Sequence, residues 1–203
     1  SLAEDLQRWN VTAVAVDGSG LSRTSAPVNI TVAAGSGQPY GLTARNPAPA
    51  YFNMPSTFEG ALPPLLSQTG IFSNTPSMTP VSGLIPYAPN TVLWSDGAVK
   101  TRYFAVPWNG GAATPDRQIG FASTGSWTFP AGTVFVKTFQ LNTDTTHPNV
   151  LHRLETRPLV RNANGAVYGV TYKWRADNSD ADLLAGSLSE NITITNVTGN
   201  SST

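Results

Sequence analysis

Thr133-Val134-Phe135-Val136-Lys137-Thr138-Phe139-Gln140-Leu141, followed after a polar stretch by Leu151-His152-Arg153-Leu154-Glu155-Thr156-Arg157-Pro158-Leu159-Val160-Arg161, decides the fold class. Both runs read as β-strands bounded by turn-forming Gly and Asn. Outward from them the chain punctuates as further strands at 92–94, 98–106, 118–121, 167–174 and 192–197, with turns such as Asn109-Gly110-Gly111 and Asn162-Ala163-Asn164-Gly165 between. No helical periodicity runs longer than two turns. About seven strands at this spacing predict an all-β domain of β-sandwich or jelly-roll type.

Upstream of these strands, 50–89 is rich in proline, including Pro63-Pro64, and offers one short helical turn at Leu65-Leu66-Ser67 before Gly70. The same stretch carries Tyr51, Phe52, Met54, Phe58, Leu62, Leu65, Leu66, Ile71 and Phe72. That is too apolar for a free linker, so a long wrapping segment over the core is expected. Further upstream, 33–49 is rich in Gly, Ala, Pro and Ser and reads as a linker. The division expected is strand pair 1–34, linker 35–48 and sandwich domain 49–203.

With 203 residues and 40% hydrophobic content the chain can bury a real core. Lys+Arg 12 balance Asp+Glu 12, so no long-range field recruits polyanions, and nucleic acid is not an expected partner. Cys 0 removes disulfides, thiolate metal sites and a cysteine nucleophile. No apolar run in these residues is long enough to cross a membrane, and the first residues do not read as a signal peptide. Residues 1–8 read as the middle of a longer chain, so the natural N-terminus is expected upstream.

Trp9-x-Val11-Thr12-Ala13-Val14-Ala15-Val16-Asp17, the turn Asp17-Gly18-Ser19-Gly20, and Ser25-Ala26-Pro27-Val28-Asn29-Ile30-Thr31-Val32 resemble the last two strands of bacterial immunoglobulin-like modules. Trp9 stands where those modules usually place a tyrosine. An isolated strand pair is marginal in water and leaves edges open. Its partner is therefore expected in preceding strands, in the following domain or in a second copy of the chain.

Five further phrases occur in order: Gly83-Leu84-Ile85-Pro86-Tyr87, Asn90-Thr91-Val92-Leu93-Trp94-Ser95-Asp96-Gly97-Ala98, Trp127-Thr128-Phe129-Pro130-Ala131-Gly132-Thr133 with the strand that follows it, Arg153-Leu154-Glu155-Thr156-Arg157, and Tyr172-Lys173-Trp174-Arg175 ending in Ser179-Asp180-Ala181-Asp182. Together they resemble an uncharacterised domain of large exported bacterial proteins, over about residues 50–195. In that family the domain often stands beside sorbosone or glucose dehydrogenase-like modules or Ig-like modules, commonly with a c-type haem domain after it. The resemblance implies a secreted, periplasmic or cell-surface protein that handles sugars or electrons, with this domain as a recognition or scaffold part. The haem-attachment motif needs two cysteines, so haem is not carried over to any residue here.

Several constellations invite chemistry. His147 and His152 flank Pro148, with Asp144 upstream, and would serve copper if a third ligand converged; otherwise they are loop histidines. Asp177, Asp180 and Asp182 concentrate the oxygen ligands that calcium prefers, although the glycine and distal glutamate of an EF-hand loop are missing. The alternative is a tight loop whose Asp and Asn side chains accept backbone N–H groups, with Asp182 capping a Leu183-Leu184 turn. Asp96 and Glu155 suggest paired carboxylates of a glycosidase. Against that, Arg153, Glu155 and Arg157 alternate on one strand and are expected to form a charge row with Lys137 and Asp96.

Aromatic faces stack on sugar rings. Trp108, Tyr103 and Tyr168 are the candidates for a ligand, Trp108 foremost because Pro107 and Asn109-Gly110-Gly111 put it in a turn. Trp94 and Trp174 lie inside apolar strand phrases and are expected in the core. The functional expectation is a noncatalytic module that recognises polysaccharide or scaffolds a sugar-oxidising or redox assembly. The alternatives are a subunit of an extracellular polymer that self-associates by β-strand addition, and a copper-dependent oxidative enzyme.

Overall fold

In the computed structural model, side chains are described for residues 45–90, 94–112 and 114–195, together with the backbone of five further strands. The chain divides into two compact units, Ser1–Arg45 and Asn46–Thr203. In the first unit β1 (Gln7–Val11) pairs antiparallel with β4 (Val28–Val32), and β2 (Val14–Val16) with β3 (Ser22–Thr24). The side chain of Trp9, most of the expected linker, and Val92 and Leu93 lie outside the described residues.

The second unit is all-β. Its elements are β5 (Phe72–Asn74), β6 (Thr79–Pro80), β7 (Ile85–Pro86), β8 (Val99–Ala105), β9 (Val134–Asn142), β10 (Leu151–Arg161), β11 (Val167–Gly169), β12 (Tyr172–Trp174), β13 (Ala181–Leu183), β14 (Ile194–Thr195) and β15 (Ser201–Ser202). One antiparallel sheet runs β13-β12-β10-β9-β8-β7, with β11 also on β10. The two strands quoted first form its centre, paired from Leu151↔Asn142 to Val160↔Val134. The expected strand at 118–121 is reduced to one bridge, Gly120 to Thr128, and the strand at 167–174 is split at Val170, whose N–H turns to the Pro158 carbonyl.

Alternation along the strands gives this sheet two unlike faces. Val134, Val136, Val160, Tyr172 and Trp174 face one side and are buried. The proline-rich stretch lies over them, inserting Met54, Leu66, Ile71, Phe72 and Leu84 into the same cluster. Each such side chain contributes about 1.5–3 kcal/mol of apolar burial. The layering is sandwich-like, with a wrap in place of most of a second sheet. Its helical turn forms at Leu66–Thr69 and stops at Gly70, φ 76°. Prolines leave the wrap few N–H donors, so it is fastened at points. Leu183 N–H donates to Pro64 O at 2.9 Å, and Asp180 accepts from Ser67 N–H at 3.1 Å and Ser67 Oγ at 2.6 Å. These bonds also cover the edge strand β13, which would otherwise present open backbone groups.

Inside the covered face, Thr138 and Thr156 hydroxyls meet at 2.9 Å and the Trp174 indole N–H donates to Thr156 Oγ1 at 3.0 Å. Tyr172 donates to Pro63 O at 2.8 Å, so the deepest polar groups are paired as burial requires. No helix among the described residues is long and apolar enough to cross a membrane.

Candidate functional site

Residues 46–50 run extended along the loop after β8, fixed by two backbone bonds, Ala48 N–H to Trp108 O at 2.9 Å and Trp108 N–H to Ala48 O at 2.8 Å. Ala48 is buried at this bridge, so the end of the expected linker belongs to the second unit. Gly132 lets the segment come close: its φ is 83°, and a Cβ there would lie 2.6 Å from the Ala50 Cβ. Next to Ala50, Tyr51 and Phe52 both adopt positive φ, 62° and 53°. Bonds from Tyr51 N–H to Gly132 O and from Asn53 N–H to Thr69 O hold this costly backbone in place.

Between the two segments lies a cleft of about 660 Å³, walled by Pro47, Ala48, Pro49 and Ala50 on one side and by Pro107, Trp108 and Asn109 on the other, with Asp116 and Arg117 at its rim. This volume falls within the range of small-ligand sites. Trp108 is half-buried, and its indole N–H donates to Gly111 O at 2.7 Å. Asn109 Oδ1 accepts from Gly111 N–H at 3.2 Å and from Arg117 Nη1 at 2.7 Å. The ring is thus held by its own loop before any ligand arrives. Asp116 is largely exposed, 3.7 Å from Arg117 Nε. An apolar wall, a fixed indole, an amide, a carboxylate and a guanidinium suit a neutral polyhydroxylated ligand: the ring takes C–H faces and the polar groups take hydroxyls.

The other aromatic candidates stand elsewhere. Tyr168 is buried and its hydroxyl donates to Pro55 O at 2.5 Å, so it anchors the wrap and offers no face to a ligand. Tyr103 lies opposite Val136 on the covered side of β8 and packs against the core. Burial pushes the phenols of Tyr168 and Tyr172 up to about 12. Trp174 is in the core as expected, but Trp94 is 80% exposed. Trp94 opens the turn at Asp96 and Gly97, both at positive φ, and does not sit in a strand.

The three aspartates do not converge. Asp177 accepts from the N–H and hydroxyl of Ser179, Asp180 points at Ser67 and Ala181, and Asp182 is turned to Arg175, which donates to it twice, at 2.9 and 2.6 Å. Asp182 lies in β13 and not at a helical turn, so it caps nothing. His147 sits in the loop between β9 and β10, its Nδ1 2.7 Å from Asp144 Oδ2. Asp144 is held down at about 2, first by the Thr146 hydroxyl and then by His147. His152 stands in β10 opposite Leu141. Among the described residues no three His, Cys, Asp or Glu side chains are grouped to hold a metal.

The expected charge row is broken by a bulge. The register shifts between Arg153 and Glu155, so the extra residue Leu154 throws Arg153 to the covered face. There Arg153 lies over the Trp174 ring at 4.7 Å and donates to Pro76 O at 2.7 Å. Glu155 and Arg157 stay on the open face, 2.5 Å apart. Glu155 is engaged by Arg157, and Asp96 is exposed on a turn.

Sequence reasoning singled out Trp108, which lines this cleft, but did not read the Pro47–Ala50 wall or the rim of Asn109, Asp116 and Arg117. The only signal was the alternation of Pro and Ala at 47–50 just before the apolar wrap. Scans against protein-family models, curated proteins and solved structures each return no match.

Proposed function

We infer that this chain is a noncatalytic recognition module of an exported bacterial protein, and that it binds neutral polysaccharide in the cleft at Trp108. The observation that carries this reading is the fixed indole beside hydrogen-bonding side chains in a cleft of about 660 Å³. A pre-positioned aromatic loses little conformational freedom on binding, which favours weak, repetitive ligands such as glycan chains. The exported setting rests on the family likeness of the ordered phrases from Gly83 to Asp182.

The test is affinity electrophoresis through gels containing cellulose derivative, xylan, mannan or starch. One of these retards the protein, and Trp108→Ala abolishes the retardation while the circular dichroism spectrum is unchanged. Equal mobility in every gel, or full retardation of Trp108→Ala, contradicts the reading.

A further inference from the structure

The open face of the sheet holds a second concavity, apart from the cleft. It is a trough of about 760 Å³ along β9, floored by Lys137, Phe139 and Leu141 and walled by Ser95 and Asp96 on one side and Glu190 and Ile192 on the other. Leu154, Glu155, Arg157, Glu190 and Ile192 also line a smaller recess of about 270 Å³ that continues past Lys173.

At one end of the trough the strand register builds a rung of cations, of which Lys137 and Arg157 line the trough while Arg102 stands beside it and donates to Lys100 O at 3.4 Å. Arg102 on β8 lies directly opposite Lys137 on β9, and Lys137 directly opposite Arg157 on β10. Neighbouring strands are about 4.8 Å apart, so three cations stand within about 10 Å. Like charges directly opposite one another destabilise a sheet. Among the described residues the one carboxylate in ion-pair contact with this rung is Glu155, on Arg157. Lys137 and Arg157 are spread over the Phe139 ring at 4.6 and 5.0 Å. Burial, followed by the repulsion of Arg102, Lys100 and Arg157, lowers the Lys137 ammonium from its usual value.

We propose that this trough is a binding site for an acidic polysaccharide, whose carboxylate or sulfate lodges on Lys137 and Arg157, with Arg102 beside them, and whose sugar hydroxyls meet Asp96 at the wall. An oxyanion between opposed cations relieves the repulsion the fold otherwise tolerates, and guanidinium forks suit planar carboxylates. Asp96, exposed on its turn, then selects against densely charged polymers: it accepts hydrogen bonds from hydroxyls but repels closely spaced phosphates, while Glu190 is paired with Lys173 at 2.5 Å. Leu141, Leu154 and Ile192 supply apolar surface for the C–H faces of a sugar ring. The site is independent of the Trp108 cleft, which is tested with neutral glycans.

The experiment is affinity electrophoresis of the full chain through gels containing polygalacturonate, dextran sulfate or unmodified dextran, and titration with single-stranded DNA. Polygalacturonate or dextran sulfate retards the protein, and which of the two does so identifies the oxyanion. Added salt weakens the effect, and neutral dextran and DNA have none. Lys137→Met keeps the apolar stem and weakens binding on the order of tenfold, whereas Lys137→Arg, which keeps the charge, retains more of the binding than Lys137→Met. Retardation by neither acidic polymer, equal retardation by neutral dextran, binding of DNA as tight as that of the glycan, or undiminished binding by Lys137→Met overturns the proposal.

Discussion

The two faces of the central sheet are made by the same strands, yet one residue of offset separates a packed core from a charged surface. On the covered side Val134, Val136, Tyr172 and Trp174 meet a wrap that follows no regular pattern. On the open side Phe139 is buried beneath Lys137 and Arg157, and Ile85, opposite Phe104, is buried toward the β7 edge. Strand parity separates the packed core from the face on which the proposed acidic-glycan site lies. Substitutions on the covered face should be felt as unfolding, and those on the open face as altered binding.

The largest break of that division comes from Trp174→Ala. It removes a buried ring, its bond to Thr156 and the surface under Arg153, and should cost about 3–5 kcal/mol in urea denaturation. A loss under about 1 kcal/mol would mean that the wrap, and not the sheet, carries the core. Gly132→Ala comes next, since it forces a side chain into φ 83° and against Ala50. About 1–3 kcal/mol is expected, together with weaker glycan retention because the cleft wall is displaced. On the open face, Lys137→Met should shift stability by no more than about 0.5 kcal/mol, or raise it slightly by relieving the rung. A loss above about 2 kcal/mol would show that the cations are structural. The smallest effect is alkaline. The fold favours the neutral phenols of Tyr168 and Tyr172, so their contribution is complete below the free value near 10 and is lost as pH rises through about 12. Tyrosinate absorbance should show these two ionising after the exposed tyrosines.

The same parity explains what could be read from the chain. The central strands were legible because turn residues bound them, and β10 spans the expected 151–161. Trp174 was legible as core because apolar neighbours in a strand phrase bury together. Trp94 looked the same on paper, but the backbone turns sharply at Asp96 and Gly97, and the tryptophan is left exposed. Arg153 was misplaced because a bulge leaves no compositional mark: one extra residue flips the parity of everything before it. The Arg102–Lys137–Arg157 rung needs the pairing register, a tertiary fact that no single strand contains. Trp108 was singled out from the turn residues after it, and it stands on a bridge to Ala48 just before the bends at Gly110 and Gly111, whereas the wall opposite comes from residues about sixty positions earlier and was hidden until the chain closed on itself.

The cleft is tested most directly by its own indole. The chain has Trp 5, so side-chain amide spectra contain few indole signals, and Trp108→Phe assigns the one in question. Titration with short oligosaccharides of the neutral glycan that retards the protein should shift the Trp108 indole N–H resonance and leave that of buried Trp174 unmoved. A saturating shift confined to other tryptophans, or no shift at any of them, would contradict the placement of the glycan site.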